Sequence, residues 1–325
     1  MNVLSLFDGI SCGRIALDRV EVKVDKYYAS ELDKYAIKVT QANWPETIQL
    51  GDVTKWRGWN IDWSSIDLLI GGSPCQGFSF AGKQLAFDDP RSALFFEYLN
   101  ILNHIKSVNS NVKFMLENVK MKKEYLDVIS GLLGVEPTFI NSALVSAQNR
   151  QRYYWANWDF GQPEDKGVKL GDILEPSLGS CCIGGRIVGR RLNELGKRED
   201  YNNDIPISQY LELRGDEKAN CMTTVYKDSV ASYFKTDKRL KIKFNQSKAS
   251  CLTGGANSGG NHSDMDILVV EPDVCRRYSI TECERLQTIP DGYTQGKGVS
   301  NSQCYKALGN GWTVDVIAHI LRGMR

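Results

Sequence analysis

Residues 66–79 read IDLLIGGSPCQGFS. Ile66–Ile70 is a short apolar run, closed by two glycines and then a proline and a cysteine. Such a run bounded by turn residues fits a strand buried on both faces. The loop after it is built of glycine, serine and proline, so Cys75 has little bulk around it. A thiol at the end of a buried strand in an open loop is a candidate nucleophile.

The same grammar continues on either side. NVLSLF is a strand, DGISCG a turn and RIALDRV a short helix. VDKYYAS is a second strand ending at Glu31. The helix after it, ELDKYAIKVTQANWP, is expected to bury Tyr35, Val39 and Ala42 and to stop at Trp44-Pro45. IQLGDVT is a third strand closing on Asp52, and VKFMLENV a fifth closing on Glu117. Asp89-Pro90 starts a helix whose face is Phe95, Tyr98, Leu99 and Leu102. EYLDVISGLLG is another, stopped by Gly134. Strands alternating with helices predict an α/β fold, a mostly parallel sheet with helices on both faces.

The 325 residues allow one large domain plus a smaller one. The net charge of +1 gives no global basic field, so any nucleic-acid surface must be local. No apolar run reaches the roughly 18 residues of a membrane span, and the first residues predict no signal peptide. Nine cysteines without CxxC pairs, beside only three histidines, argue against a metal site and for reduced, mostly packed thiols.

Past Trp158 the alternation stops. Residues 161–275 are polar and rich in Gly, Asn and Ser. They hold a weak repeat, KANCMT at 218–223 and KASCLT at 248–253, expected to form similar strand-turn units in an irregular β-rich domain. Lys235–Lys248 holds six Lys or Arg against one Asp. From Arg276 helices return. SITECERLQTIP is capped by Ser279 or Thr281, with Cys283, Leu286 and Gln287 inward. The final helix carries a stripe of Val314, Ile317, Ala318 and Leu321 that must dock on the first domain. The expected organisation is a discontinuous catalytic domain, residues 1–160 plus 276–325, with residues 161–275 inserted.

Ligands of open parallel sheets bind at the carboxyl ends of the strands. Asp8–Gly13, Glu31, Asp52, the Pro74-Cys75 loop and Glu117 should therefore share a rim. Glu31 suits a ribose diol and Asp52 the exocyclic amine of adenine, a set that fits any adenosine cofactor. Glu117 on the strand next in sequence, with Arg150 and Arg152 of AQNRQRYYW alternating onto one face, completes an electrophile-activating site around Cys75.

These segments resemble the DNA cytosine-5 methyltransferases dependent on S-adenosyl-L-methionine. LFDGISCG is similar to motif I, GGSPCQGFSFAG to the catalytic motif IV, LENV to motif VI and QNRQR to motif VIII. RRYSITECERLQTIPDGYT is similar to motif IX and ALGNGWTVDVIAHI to motif X. FDGI, RSALFFEYL and the Asn-Gly-Trp of motif X look closest to the de novo branch and its bacterial and phage relatives. Motif I departs from the commoner FxGxGG pattern, with serine and cysteine where a glycine is usual.

The resemblance implies a methyltransferase Rossmann-like fold with an inserted target-recognition domain. It implies C5 methylation of cytosine in a specific double-stranded DNA sequence, with S-adenosylhomocysteine as product. Cys75 would attack C6 of a flipped-out base, Glu117 would share a proton at N3, and Arg152 would bind the O2 side. Arg150 would support the loop and the carboxylate, and Asn118 would orient the loop. Phe7, Asp8, Gly9, Ile10, Ser11, Cys12, Glu31, Asp52, Val53, Thr54, Pro74, Asn310, Gly311 and Trp312 would surround the cofactor. Gln76, Ser79, Thr223, Lys235, Lys238, Arg239, Lys241, Lys243 and Thr253 would touch DNA.

The implied setting is the cytoplasm of a bacterial or phage-infected cell, in association with the nucleoid, with or without a cognate restriction endonuclease. In the de novo branch a helix like that of Phe95 and Phe96 makes subunit contacts, so a monomer or a weak homodimer is expected. The competing readings are a tRNA cytosine-5 methyltransferase and an inactive DNA-binding homologue. The second requires a broken site, whereas Cys75, Glu117 and Arg152 are all in place.

Overall fold

The computed structural model describes residues 1–73, 93–175, 183–193, 197–199, 201–214, 216–222, 229–232, 242–243 and 275–324. The described residues form two sheets. The first holds β1 (Asn2–Leu6), β2 (Lys26–Ser30), β3 (Ile48–Gln49), β4 (Leu68–Gly71), β5 (Lys113–Val119), β6 (Thr138–Asn141) and β7 (Gln151–Ala156) in the order β3-β2-β1-β4-β5-β7-β6. β1 to β5 are parallel and β7 runs antiparallel between β5 and β6. The chain winds outward from β1 to β3, then crosses back to β4. That reversal between β1 and β4 is where a doubly wound sheet opens a crevice.

Alternation along the strands divides two cores. Val3, Leu68, Ile70 and Met115 face one side, and Leu4, Leu6, Leu69, Phe114 and Leu116 the other. The second side is covered by α3 (Ala93–Val108), which buries Phe95, Tyr98, Leu99 and Leu102 as its spacing predicts, and by α4 (Lys123–Leu133). Phe95 is fully buried, and Phe96 is half-buried against it at 5.4 Å between ring centres.

The first side is covered by α1 (Cys12–Arg19), α2 (Lys34–Asn43), α6 (Ile280–Leu286), α7 (Asn301–Asn310) and α8 (Val314–Arg322). Val314, Ile317, Ala318 and Leu321 of α8 are all fully buried. α8 lies on α1, and Arg19 reaches Asp315 across the contact at 2.5 Å. Ser279, not Thr281, caps α6, in a reciprocal capping box with Glu282. α2 buries Ala36, Val39 and Thr40, and the expected Ala42 is exposed. Its face is turned because Thr40 is drawn inward to Ser11 at 3.1 Å.

The second sheet is antiparallel: β8 (Ile183–Arg190), β9 (Ser208–Leu213), β10 (Ser229–Ser232), β11 (Ile242–Lys243) and β12 (Cys275–Arg277), in the order β11-β9-β8-β10-β12. The first copy of the repeat does not form a strand of this sheet. Ala219 instead bridges to Gln148, shortly before β7, and its amide donates to Ala147 O at 2.6 Å. The second copy lies outside the described residues. α5 (Leu170–Ile173) packs on α6, so the apolar residues just after 161 join the first core.

Candidate active site

β1 leads into a loop with three left-handed residues, Phe7 (φ 57°), Gly9 (φ 61°) and Ser11 (φ 57°). Only glycine takes this conformation without strain, so Phe7 and Ser11 cost about 1–3 kcal/mol each. Hydrogen bonds hold the loop there. The Ser11 hydroxyl donates to Asp8 Oδ2, and Tyr27 Oη donates to Asp8 Oδ1 at 2.8 Å. Asp8 N donates to Ser30 O at 3.1 Å. Ser11 therefore stands where glycine is usual because its side chain is anchored. Burial pushes the Asp8 carboxyl up to about 6, against the opposing hydrogen bonds from Ser11 and Tyr27.

Glu31 follows β2 and ties this loop to the next. Its carboxylate accepts from Gly9 N at 2.8 Å, Leu32 N at 2.7 Å and Asp33 N at 2.8 Å. β3 is only two residues long, and Gly51 (φ 74°) turns the chain so that Asp52 is an N-cap rather than a strand end. Asp52 accepts from the Thr54 amide at 2.9 Å and the Thr54 hydroxyl at 2.8 Å. These bonds hold its carboxyl below the usual range.

β4 and β5 are neighbours in register, Gly71 beside Leu116. Glu117 thus emerges next to Gly72 and Ser73, the two residues before Pro74. A Cβ on Gly72 would lie 2.8 Å from Glu117 Oε2 and 2.9 Å from Trp312 Nε1. The lack of a side chain at Gly72 is therefore what lets an acid and an indole pack against the end of β4. Asn118 is buried and its amide reaches Ser73 Oγ at 3.3 Å, which fixes the start of the Pro74-Cys75 loop. On β7, Arg152 Nε lies 2.9 Å from Glu117 Oε1.

Arg150 has a different task from the expected one. It does not pair with Glu117; it donates to Met222 O at 3.2 Å and to Gly311 O at 2.9 Å. Its buried side chain clamps the turn before Trp312 to the middle region.

These groups surround a cavity of about 440 Å³ at the carboxyl ends of β1, β2 and β4. Phe7, Asp8, Gly9, Cys12, Glu31, Asp52 and Val53 line it together with Glu117, Arg150, Asn310, Gly311 and Trp312. A family model described as C-5 cytosine-specific DNA methylase matches residues 1–129 and 138–325. The chain belongs to the C-5 cytosine-specific DNA methylase family.

The methylase is 34% identical over 344 residues to the Type II methyltransferase M.NlaX of Neisseria lactamica, covering 100% of this chain and 96% of that one. It is 28% identical over 351 residues to the Type II methyltransferase M1.ScrFI of Lactococcus lactis subsp. cremoris, covering 99% and 77%. Its fold is similar to the Entamoeba histolytica methyltransferase EhMeth, with a TM-score of 0.63, 16% identity and coverage of 100% and 97%. The chain is thus a DNA cytosine-5 methyltransferase.

In the methylase, Ile10, Ser11 and Thr54 do not line the cavity. Ile10 and Ser11 are fully buried, Ile10 in the core and Ser11 against Asp8 and Thr40. Thr54 is exposed and turned back onto Asp52. Pro74, Cys75, Gln76, Ser79, Thr223, Lys235, Lys238, Arg239, Lys241 and Thr253 lie outside the described residues. Lys243 is in β11, the edge strand of the second sheet.

Sequence reasoning missed Leu32, Gly72 and Ser73 in the cavity wall. Leu32 is 69% exposed. An apolar residue between two acids in SELD was its signal. Among the described residues no helix is long and apolar enough to cross a membrane.

Proposed function

We propose that the methylase acts on C5 of cytosine in a specific double-stranded DNA sequence, using S-adenosyl-L-methionine and covalent attack by Cys75 on a base turned out of the duplex. The observation that carries this is one cavity lined by two chemically distinct sets of groups. One set is Glu31, Asp52 and the left-handed backbone at Phe7 and Gly9. The other is Glu117, paired with Arg152, and Ser73, two residues before Cys75.

The donor set fits the cofactor. Glu31 has carboxylate lone pairs for a ribose diol beyond its amide partners, Asp52 is open to an exocyclic amine, and Gly72 leaves the space that a Cβ would fill. Phe7, Val53 and Trp312 would supply apolar walls, and Asn310 and Gly311 the closing turn. When bound, the cofactor supplies an electrophilic methyl group on a sulfonium.

Cytosine C5 is a poor nucleophile within its aromatic ring. The Cys75 thiolate would form a bond to C6 and push an electron pair onto the ring, leaving C5 enamine-like. Glu117 would share a proton at N3 as that charge develops, and Arg152 would hold both the carboxylate and the O2 side. After methylation C5 loses its proton to a base, and the returning electron pair expels Cys75. Turning the base out costs a few kcal/mol of stacking and pairing, about the range typical of such enzymes. Residues 161–275, with the second sheet and the basic run, would hold phosphates and read base edges.

The test is labelled-methyl transfer to duplex DNA and to tRNA, with Cys75→Ser alongside. Transfer to DNA, lost in Cys75→Ser, and covalent trapping on DNA containing 5-fluorocytosine are expected. Preference for tRNA, or activity retained by Cys75→Ser, would overturn the reading.

A further inference from the structure

The two arginines of QNRQR converge on a sulfur that the mechanism above does not use. Arg150 Nη1 lies 3.4 Å from Cys221 Sγ, and Arg152 Nη2 lies 3.9 Å from it. Arg150 continues to Gly311 O, and Arg152 to Glu117 Oε1 at 2.9 Å. A single line of polar contacts therefore runs from the turn before Trp312, through both guanidinium groups and the sulfur, to the carboxylate. The arginines and Glu117 come from the first sheet and its β7 loop, whereas the sulfur comes from the segment 216–222 of the middle region.

The setting is unlike that of the other described thiols. Cys12 is pushed up to about 12 by burial, and burial also pushes Cys283 and Cys304 up. Burial acts in the same sense on Cys221, but Arg150 and Arg152 together outweigh it and hold the thiol below its ordinary value. Glu117, Tyr154 and Cys12 are the other titratable groups whose charges act on this cluster.

We propose that Cys221 is a positioning residue, the shared acceptor that fixes both guanidinium groups and so sets how firmly Arg152 holds Glu117. The sulfur and the carboxylate compete for the same Arg152 charge. Removing the sulfur leaves more of that charge to Glu117, which makes it a poorer proton-sharing group. The segment that carries Cys221 leads into the proposed target-recognition region. Seating of that region on the first sheet is thereby coupled to the acid at the reacting base.

This rests on the reading of Glu117 as the group that shares a proton at N3, which Glu117→Gln tests separately. Cys221→Ala should lower kcat by about 3- to 10-fold at neutral pH and move the alkaline limb of the kcat profile to lower pH by up to about one unit. KM for DNA should change less than kcat. Cys221→Asp, similar in volume and able to accept from both guanidinium groups, should recover both kcat and the limb. An unshifted limb in Cys221→Ala, or Cys221→Asp no better than Cys221→Ala, with melting temperatures at the wild-type value, would overturn the proposal.

The wild-type protein gives a readout independent of activity and of variant folding. Alkylation of Cys221 by iodoacetamide, followed by peptide mass against pH, should show a midpoint below the roughly 8.5 of a free cysteine. A midpoint at or above that value would also overturn it. If Glu117→Gln stays active, the reading of Glu117 fails, whatever the alkylation midpoint.

Discussion

Arg152 Nε and Glu117 Oε1 stand 2.9 Å apart on antiparallel neighbours, with only 15% and 10% of their side chains exposed. The register of β5 and β7 creates this pair: Val119 lies opposite Arg152 and Glu117 opposite Tyr154, so both side chains emerge at the same end of the sheet. Removing either partner leaves the other charge buried, which is costlier than the pair itself is favourable. Glu117→Gln should lower kcat by about 10²- to 10⁴-fold, the span of a lost general acid. Arg152→Lys, which keeps the charge but loses the planar fork, should lower it by about 10- to 100-fold. Single-turnover methyl transfer separates these effects from product release.

Asp8 gives a pH dependence of defined sign. Its carboxyl titrates near 3.8 when unfolded and at about 6 when folded, because burial disfavours the charge. The folded state binds the proton more tightly, so the stability this group contributes is complete below about 4 and lost as pH rises through about 6. Two units correspond to about 3 kcal/mol. Urea denaturation across pH 4 to 7 should show wild type losing stability relative to Asp8→Asn in that window. A difference curve that stays flat would remove Asp8 as the cause.

Gly72→Ala inserts a Cβ between Glu117 Oε2 and Trp312 Nε1, neither of which is a free end that can swing away. Overpacking of this kind costs about 1–3 kcal/mol. A lower denaturation midpoint should accompany a fall in methyl transfer, since Glu117 itself must move. Wild-type values for both would mean that Glu117 and Trp312 are not held in this arrangement.

Ile317 is fully buried in α8, on the face packed against the sheet and α1. Ile317→Ala should cost about 2–5 kcal/mol, through lost burial and the cavity left behind. The measurement is the urea midpoint. A loss under about 1 kcal/mol would show that α8 is not an integral part of the first core.

Local pattern was enough for most of the framework. The apolar runs of β1, β2, β4 and β5, the spacing of Phe95, Tyr98, Leu99 and Leu102, and the stripe of α8 all follow from periods of 2.0 and 3.6 residues. Where a long-range bond competes with local pattern, the pattern misleads. Thr40 is drawn in by Ser11, and Ala42 is left outside. Within KANCMT, Ala219 bridges to Gln148, about 70 positions earlier, a partner that no local preference records.

The site divides the same way. By itself the sequence determined that Glu31 follows directly on β2 and that Glu117 lies on β5, because strands and turns are written in neighbouring residues. Only the tertiary structure decided how those residues are used. It gave Glu117 to Arg152 and sent Arg150 to Gly311, turned Ser11 inward onto Asp8, and placed Cys221 between two arginines about 70 positions earlier in the chain. Hydrogen bonds and charges act through space over a few ångströms. Their partners are therefore set by strand register and by the docking of distant segments, not by order along the chain.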